Sequence, residues 1–116
     1  MGRFEEERLM SECESIIMRA IWDAGEDISQ PDLIVLLREK YGKDYARTTV
    51  VTFLLKLSDK GMLRTYRSVK VAYVHVLVER EEYRKILTKN LLRDWYRGDV
   101  DAMMGDAVGE NSSMNV

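Results

Sequence analysis

The sequence predicts a mainly α fold with a small β-hairpin: three helices, a hairpin lying against them, and further helix after it. Three observations carry this reading. Apolar residues recur at helical spacing in three segments before Gly61, the pattern changes to partial alternation between Met62 and Val78, and a helical stripe returns from Glu79. A chain of 116 residues has room for one domain with a short appended element. At 46% apolar and 33% charged it holds enough hydrophobic material for one core and is too evenly mixed for a disordered chain.

The first helix is predicted over residues 11–24. Ser11-Glu12-Cys13-Glu14 has the spacing of a capping box, in which serine and glutamate satisfy each other's orphan amides. Ile16, Ile17, Ala20 and Ile21 form its apolar stripe, widened by Met18 and Trp22, and Gly25 is placed to end it. Trp22 reads as core rather than as a ligand platform. Glu26 to Ile28 is a connector in which Ile28 pins the chain to the core, with room for a minimal strand. Ser29-Gln30-Pro31-Asp32 opens a second helix, since proline is tolerated where its missing amide has no helical partner. Leu33, Ile34, Leu36, Leu37 and Tyr41 are its apolar side and Gly42 its stop.

A short polar joint, Lys43 to Ala46, leads to a third helix over about 47–60, with Val50, Phe53, Leu54 and Leu57 facing inward. Two helices a few residues apart, the second one basic, follow the order of a helix-turn-helix. Met62 to Arg67 and Val71 to Val78 are rich in β-branched and aromatic residues and are joined by Ser68-Val69-Lys70, which predicts the hairpin. A lone hairpin is marginal, so it must lie on the helices, and the result is a winged helix-turn-helix. From Glu79 the residues Tyr83, Ile86, Leu87, Leu91, Leu92, Trp95 and Tyr96 form a stripe too broad for an exposed helix. Gly98 breaks it, and Asp99 caps a last short helix through Met103, Met104, Ala107 and Val108. The predicted organisation is a winged-helix domain over 1–78, a C-terminal helical dimerisation element over 79–108 and a frayed tail over 109–116.

Composition excludes most enzyme classes. The single cysteine, Cys13, precludes an intramolecular disulfide, and the single histidine, His75, leaves no catalytic pair and no zinc set, so neither catalytic residues nor a metal or cofactor are expected. Cys13 reads as an inert, partly buried thiol, with an oxidant-sensing role open if it is exposed at the helix start. Glu79, Glu81 and Glu82 suit the positive end of a helix dipole and need no catalytic role. No apolar run reaches the length of a membrane span, and the opening residues lack the order of a signal peptide, so a cytoplasmic protein is expected.

The net charge of −2 hides a segregation. Residues 1–42 carry five basic and ten acidic side chains, residues 43–70 seven basic and two acidic, and residues 71–116 six basic and eight acidic. The basic block covers the third helix and the hairpin turn. Nucleic-acid binders need such cations to replace the counterions around phosphate, although a solvated surface has the same composition. With the apolar residues of the third helix inward, Arg47, Thr48, Thr49, Val51, Thr52, Leu55 and Lys56 face out. The threonines suit phosphates or thymine methyls, and Arg47 and Lys56 suit guanine edges or phosphates. Threonine also caps helices and fills space. Val51 and Leu55 fit thymine methyls or, alternatively, a protein partner. Arg67 and Lys70 on the turn fit a phosphate or the minor groove, or simply keep a strand edge soluble.

Three runs also resemble a known family: Glu14-x-x-Ile17-Met18-x-x-Ile21-Trp22-x-x-Gly25-Glu26, then Thr48-Thr49-Val50-x-Thr52-x-Leu54-x-Lys56-Leu57-x-x-Lys60-Gly61-x-Leu63, then Tyr73 with Glu81-Glu82-Tyr83. Over roughly residues 11–108 the chain is similar to the penicillinase repressor (BlaI/MecI/CopY) family of bacterial winged-helix transcriptional repressors. The resemblance implies a homodimer that places one winged helix on each half of a palindromic DNA operator and joins through C-terminal helices. The broad stripe agrees, which makes Tyr83, Leu87, Leu91, Leu92, Trp95, Tyr96, Met103 and Met104 the candidate dimer interface. Copper-responsive members carry Cys-x-Cys pairs near the C-terminus, absent here, so copper sensing is not implied. Antibiotic-responsive members are cut at an Asn-Phe bond in the first C-terminal helix. Asn90-Leu91 falls at that place, with a membrane sensor metallopeptidase as the implied partner. The competing function is a winged-helix protein-interaction module without sequence-specific DNA binding.

Overall fold

The computed structural model describes residues 9–109. Helix α1 spans Glu12–Ala24, strand β1 Ile28–Ser29, α2 Gln30–Tyr41 and α3 Arg47–Asp59; strands β2 (Leu63–Ser68) and β3 (Val71–Val76) follow, then α4 (Arg80–Tyr96) and α5 (Val100–Met104). A wider helical turn, Gly105–Gly109, continues α5. This is the predicted winged helix-turn-helix with C-terminal helices. The predicted frayed tail lies outside the described residues except for Gly109.

Local chemistry sets the helix ends. The capping box is complete, with the Ser11 amide donating to Glu14 Oε1 at 2.7 Å and the Glu14 amide to Ser11 Oγ at 3.2 Å. Gly25, at φ 74°, takes the left-handed conformation that closes α1. Ser29 caps α2 by accepting from the Asp32 amide, and Pro31 sits in the first turn. β1 pairs antiparallel with β3 (Ile28 opposite Val74), and β3 pairs with β2, so the sheet order is β1-β3-β2. The minimal strand expected at Ile28 therefore exists.

The second wing strand is shorter than predicted. It ends at Val76 because the amides of Leu77 and Val78 both donate to the Met62 carbonyl, which turns the chain inward. Ile17, Met18 and Ile21 of α1, Leu33 and Leu37 of α2, Val50, Leu54 and Leu57 of α3, and Met62, Leu63 and Val74 of the sheet form the core. One ion pair reaches into it. Glu14, 3% exposed, meets Lys60 Nζ at 2.6 Å, and Lys60 also donates to the Leu9 carbonyl at 2.8 Å. Burial pushes the Glu14 carboxyl up, but the Lys60 ammonium and the Ser11 amide and hydroxyl outweigh that and leave it below its ordinary value.

Candidate nucleic-acid interface

α3 buries Val50, Leu54 and Leu57 at spacings of four and three, which commits one side of the helix to the core. The other side carries exposed Arg47, Thr48, Thr52, Leu55 and Lys56, with Thr49 and Val51 half-buried at the margin. Leu55 is 60% exposed, as expected for an outward position. Two side chains are less free than expected. Thr52 Oγ1 donates to the Thr48 carbonyl at 2.9 Å, so its oxygen is left chiefly to accept. The Lys56 ammonium lies 5.0 Å from the centroid of the Phe53 ring, along its own helix.

The wing turn is Val69-Lys70, with φ of 48° and 71°. Positive φ at both central residues suits the twist of a two-residue hairpin, where Asn-Gly is the usual choice; a β-branched valine there is strained. Val69 is 89% exposed at the tip, so the wing presents an apolar point between its cations. Arg67 Nη2 donates to the Lys70 carbonyl at 3.2 Å across the turn. The wing strands are braced to the loop before β1: Asp27 accepts from the Tyr66 hydroxyl at 2.6 Å and pairs with His75 Nδ1 at 2.8 Å. Those bonds, Tyr66 first, hold the Asp27 carboxyl below its ordinary value.

Helix and wing meet across two clefts. One, of about 370 Å³, is lined by Gln30, Arg47, Arg67 and Lys70 among others. The other, of about 350 Å³, is lined by Gln30, Val51, Leu55 and Arg67 among others. Cations 20 or more residues apart in sequence thus share one surface with the outward face of α3. Gln30, at the start of α2, lines both clefts and was not among the sequence candidates; a neutral residue next to a proline gives no charge or periodicity signal.

The candidate dimer residues divide. Tyr83 is buried in its own domain, where its hydroxyl accepts from the Met10 amide at 2.8 Å and its ring lies 6.1 Å from that of Trp22. It anchors α4 to the winged domain rather than extending the free stripe. Leu92, Tyr96 and Met103 are half-buried, and the Tyr96 hydroxyl donates to Asp106 at 2.7 Å, folding α5 back on α4. Leu87, Leu91, Trp95 and Met104 are exposed, Trp95 at 79%. Asn90 is 3% exposed, and its side chain donates to the Ile86 carbonyl at 2.9 Å and accepts from Arg93. The Asn90-Leu91 bond therefore lies in the interior of α4. Cys13 is half-buried, 3.8 Å from the Tyr45 hydroxyl.

Among the described residues no group of three or more His, Cys, Asp or Glu side chains is placed to hold a metal ion, and no helix is long and apolar enough to cross a membrane. A helix-turn-helix whose basic third helix shares a surface with a cationic hairpin defines a winged-helix DNA-binding protein. Residues 10–115 match the model of the penicillinase repressor family, and the chain belongs to that family. It is a repressor-type, DNA-binding winged-helix protein. The solution structure of the DNA binding domain of the repressor BlaI is similar in fold, with a TM-score of 0.55 and 24% identity over 64% of this chain and 87% of that one. A comparison with curated proteins gives no significant match.

Proposed function

We propose that the chain is a homodimeric, cytoplasmic transcriptional repressor that binds a palindromic operator. In this reading α3 lies in the major groove, with Arg47, Thr48, Thr49, Val51, Thr52 and Lys56 toward the DNA, and Arg67 and Lys70 of the wing on the backbone. The carrying observation is the cleft that Arg47 shares with Arg67 and Lys70 beside the exposed face of α3. Cations from two elements facing one groove suit a polyanion that runs past both. Leu87, Leu91, Trp95 and Met104 would join the two copies, because an exposed apolar stripe on a long helix needs a partner surface.

Salt titration tests the reading. Affinity for a random duplex should fall steeply as salt rises, with a log-log slope of about −0.9 per phosphate neutralised. The quadruple alanine variant at Arg47, Lys56, Arg67 and Lys70 should flatten that slope by several units. A flat profile in the unsubstituted protein would instead favour a protein-interaction module, for which the exposed Leu55 speaks.

The release step in this reading is cleavage at Asn90-Leu91 by a membrane sensor metallopeptidase. The bond is inside α4 and Asn90 is buried, so the helix must open locally before it is cut. Cutting would sever Leu87 from Trp95 and dissolve the dimer without touching α3. Fragment masses after coexpression with the cognate peptidase provide the check, and an intact chain at full induction would overturn this step alone.

A further inference from the structure

One carboxylate ties the root of α4 to two helices of the DNA-reading domain. Asp23 lies near the end of α1, and Arg80 is the first residue of α4. Arg80 Nη2 donates to Asp23 Oδ1 at 2.6 Å and to the Arg19 carbonyl at 3.3 Å, and its guanidinium stands 5.7 Å from the centroid of a Trp22 ring. The other Asp23 oxygen accepts from the Tyr41 hydroxyl and lies 3.1 Å from Lys40 Nζ, both in α2. One side chain thus joins α1, α2 and α4.

Other contacts with the domain lie at the same root: the Tyr83 hydroxyl accepts from the Met10 amide at 2.8 Å. Beyond Tyr83 the one buried residue of α4 is Asn90, which donates to the Ile86 carbonyl and accepts from Arg93, both of the same helix. Trp22 Nε1 donates to the Val78 carbonyl at 2.9 Å, and the buried Tyr83 ring adds apolar contact. Apolar contact is non-directional, whereas the two hydrogen bonds that Arg80 Nη2 donates have preferred directions. The angle matters because α4 is long. Seventeen residues span about 25 Å, so a 10° pivot at the root moves the far end by about 4 Å. That exceeds the rise of one base pair, about 3.4 Å.

We infer that Asp23 is a positioning residue for operator recognition: by clamping Arg80 it sets the spacing between half-sites that the dimer accepts. The inference rests on the dimeric DNA-binding reading above and adds the residue that fixes its geometry. Neither Asp23 nor Arg80 needs to touch DNA.

Two measurements test it. In a Cys13→Ser, Asp59→Cys background, a spin label on α3 reports the distance between the two heads of the DNA-free dimer by pulsed dipolar spectroscopy. A narrow distribution is expected with the native root. Asp23→Ala and Arg80→Ala should each broaden it about twofold, the double variant no further than either single one, and Arg80→Lys should restore most of the sharpness. Arg80→Ala leaves the Tyr41 and Lys40 contacts of Asp23 in place, so it reads the clamp even if Asp23→Ala loosens α2. On selected operators with half-sites moved by one base pair, the preference for the best spacing should fall by about three- to tenfold in the unlabelled variants. Affinity for a single half-site should not change. A distribution that stays narrow in both alanine variants, or an unchanged spacing preference, overturns the clamp alone. Absence of any distance between protomers in the native-root protein overturns the dimer, and the clamp with it.

Discussion

α1 and α4 look alike as sequences, each an apolar stripe behind an acidic first turn, yet they end in opposite surroundings. α1 buries Glu14, Ile16, Ile17, Met18, Ala20 and Ile21 in 13 residues, whereas α4 buries only Tyr83 and Asn90 in 17. Helical periodicity states that a face will be covered; it does not state by which chain. Where the covering chain is the protein's own, as for α1, the stripe predicts the core. Where it is not, as along α4, the same signal marks an apolar surface left exposed.

The strongest way to break this contrast is to remove the anchors of the free stripe. Leu91→Ala with Trp95→Ala should raise the dimer dissociation constant by about a hundredfold or more, since buried interface anchors typically cost about 2 kcal/mol each. Light scattering would then show monomer while circular dichroism keeps the winged-helix signal. An unchanged dimer would place the interface elsewhere.

The converse change is Leu54→Ala, inside the head. It should cost about 2 to 5 kcal/mol of folding stability, read as a lower urea midpoint at constant slope. Head stability and arm association should thus separate cleanly. A dimer that weakens in step with the head in Leu54→Ala would show that the two regions share a core after all.

A smaller effect is expected where the head holds its N-terminal segment. Lys60→Met strands the Glu14 carboxylate, and a buried charge without its partner should cost about 1 to 3 kcal/mol, less than a fully enclosed pair because Lys60 is 25% exposed. Adding Glu14→Gln should return part of that loss in the same urea titration.

The smallest effect is electrostatic, at the root of α4. The hydrogen bond from Tyr41, then that from Arg80, holds the Asp23 carboxyl well below its ordinary value of 3.8. A depressed carboxyl contributes stability that is fully present above the unfolded value and is lost as pH falls through the folded one. The native protein should therefore lose stability relative to Asp23→Asn only below about pH 4. A difference between the two curves that widens above pH 5 would contradict this assignment.

Signals confined to a few neighbouring residues were legible in the sequence. Ser11 and Glu14 announced their capping box, Gly25 and Gly42 the ends of two helices, and the β-branched runs the wing. Long-range geometry was not. Nothing near Val76 says that the Met62 carbonyl will draw in the next two amides and end the strand. Tyr83 belongs to the same stripe as Leu87 and Leu91, and periodicity cannot tell the residue that roots a helix from those that project. Asp23 and Arg80 are 57 residues apart, and each reads alone as an ordinary surface charge. Gln30 acquires a place in the candidate interface only because the wing folds over the start of α2.

The two-residue strand β1 also bears on how the molecule assembles. Its register with β3, Ile28 opposite Val74 and Ser29 opposite Tyr73, closes a loop that contains both helices of the helix-turn-helix and the first wing strand. The wing hairpin closes over a two-residue turn and the helices form from near neighbours, so each is local and fast. A bridge of two residue pairs offers too few bonds to offset that loop entropy alone and must wait for α2 and α3 to dock. It should therefore form late in folding and open early in partial unfolding, as a latch of the domain rather than its nucleus.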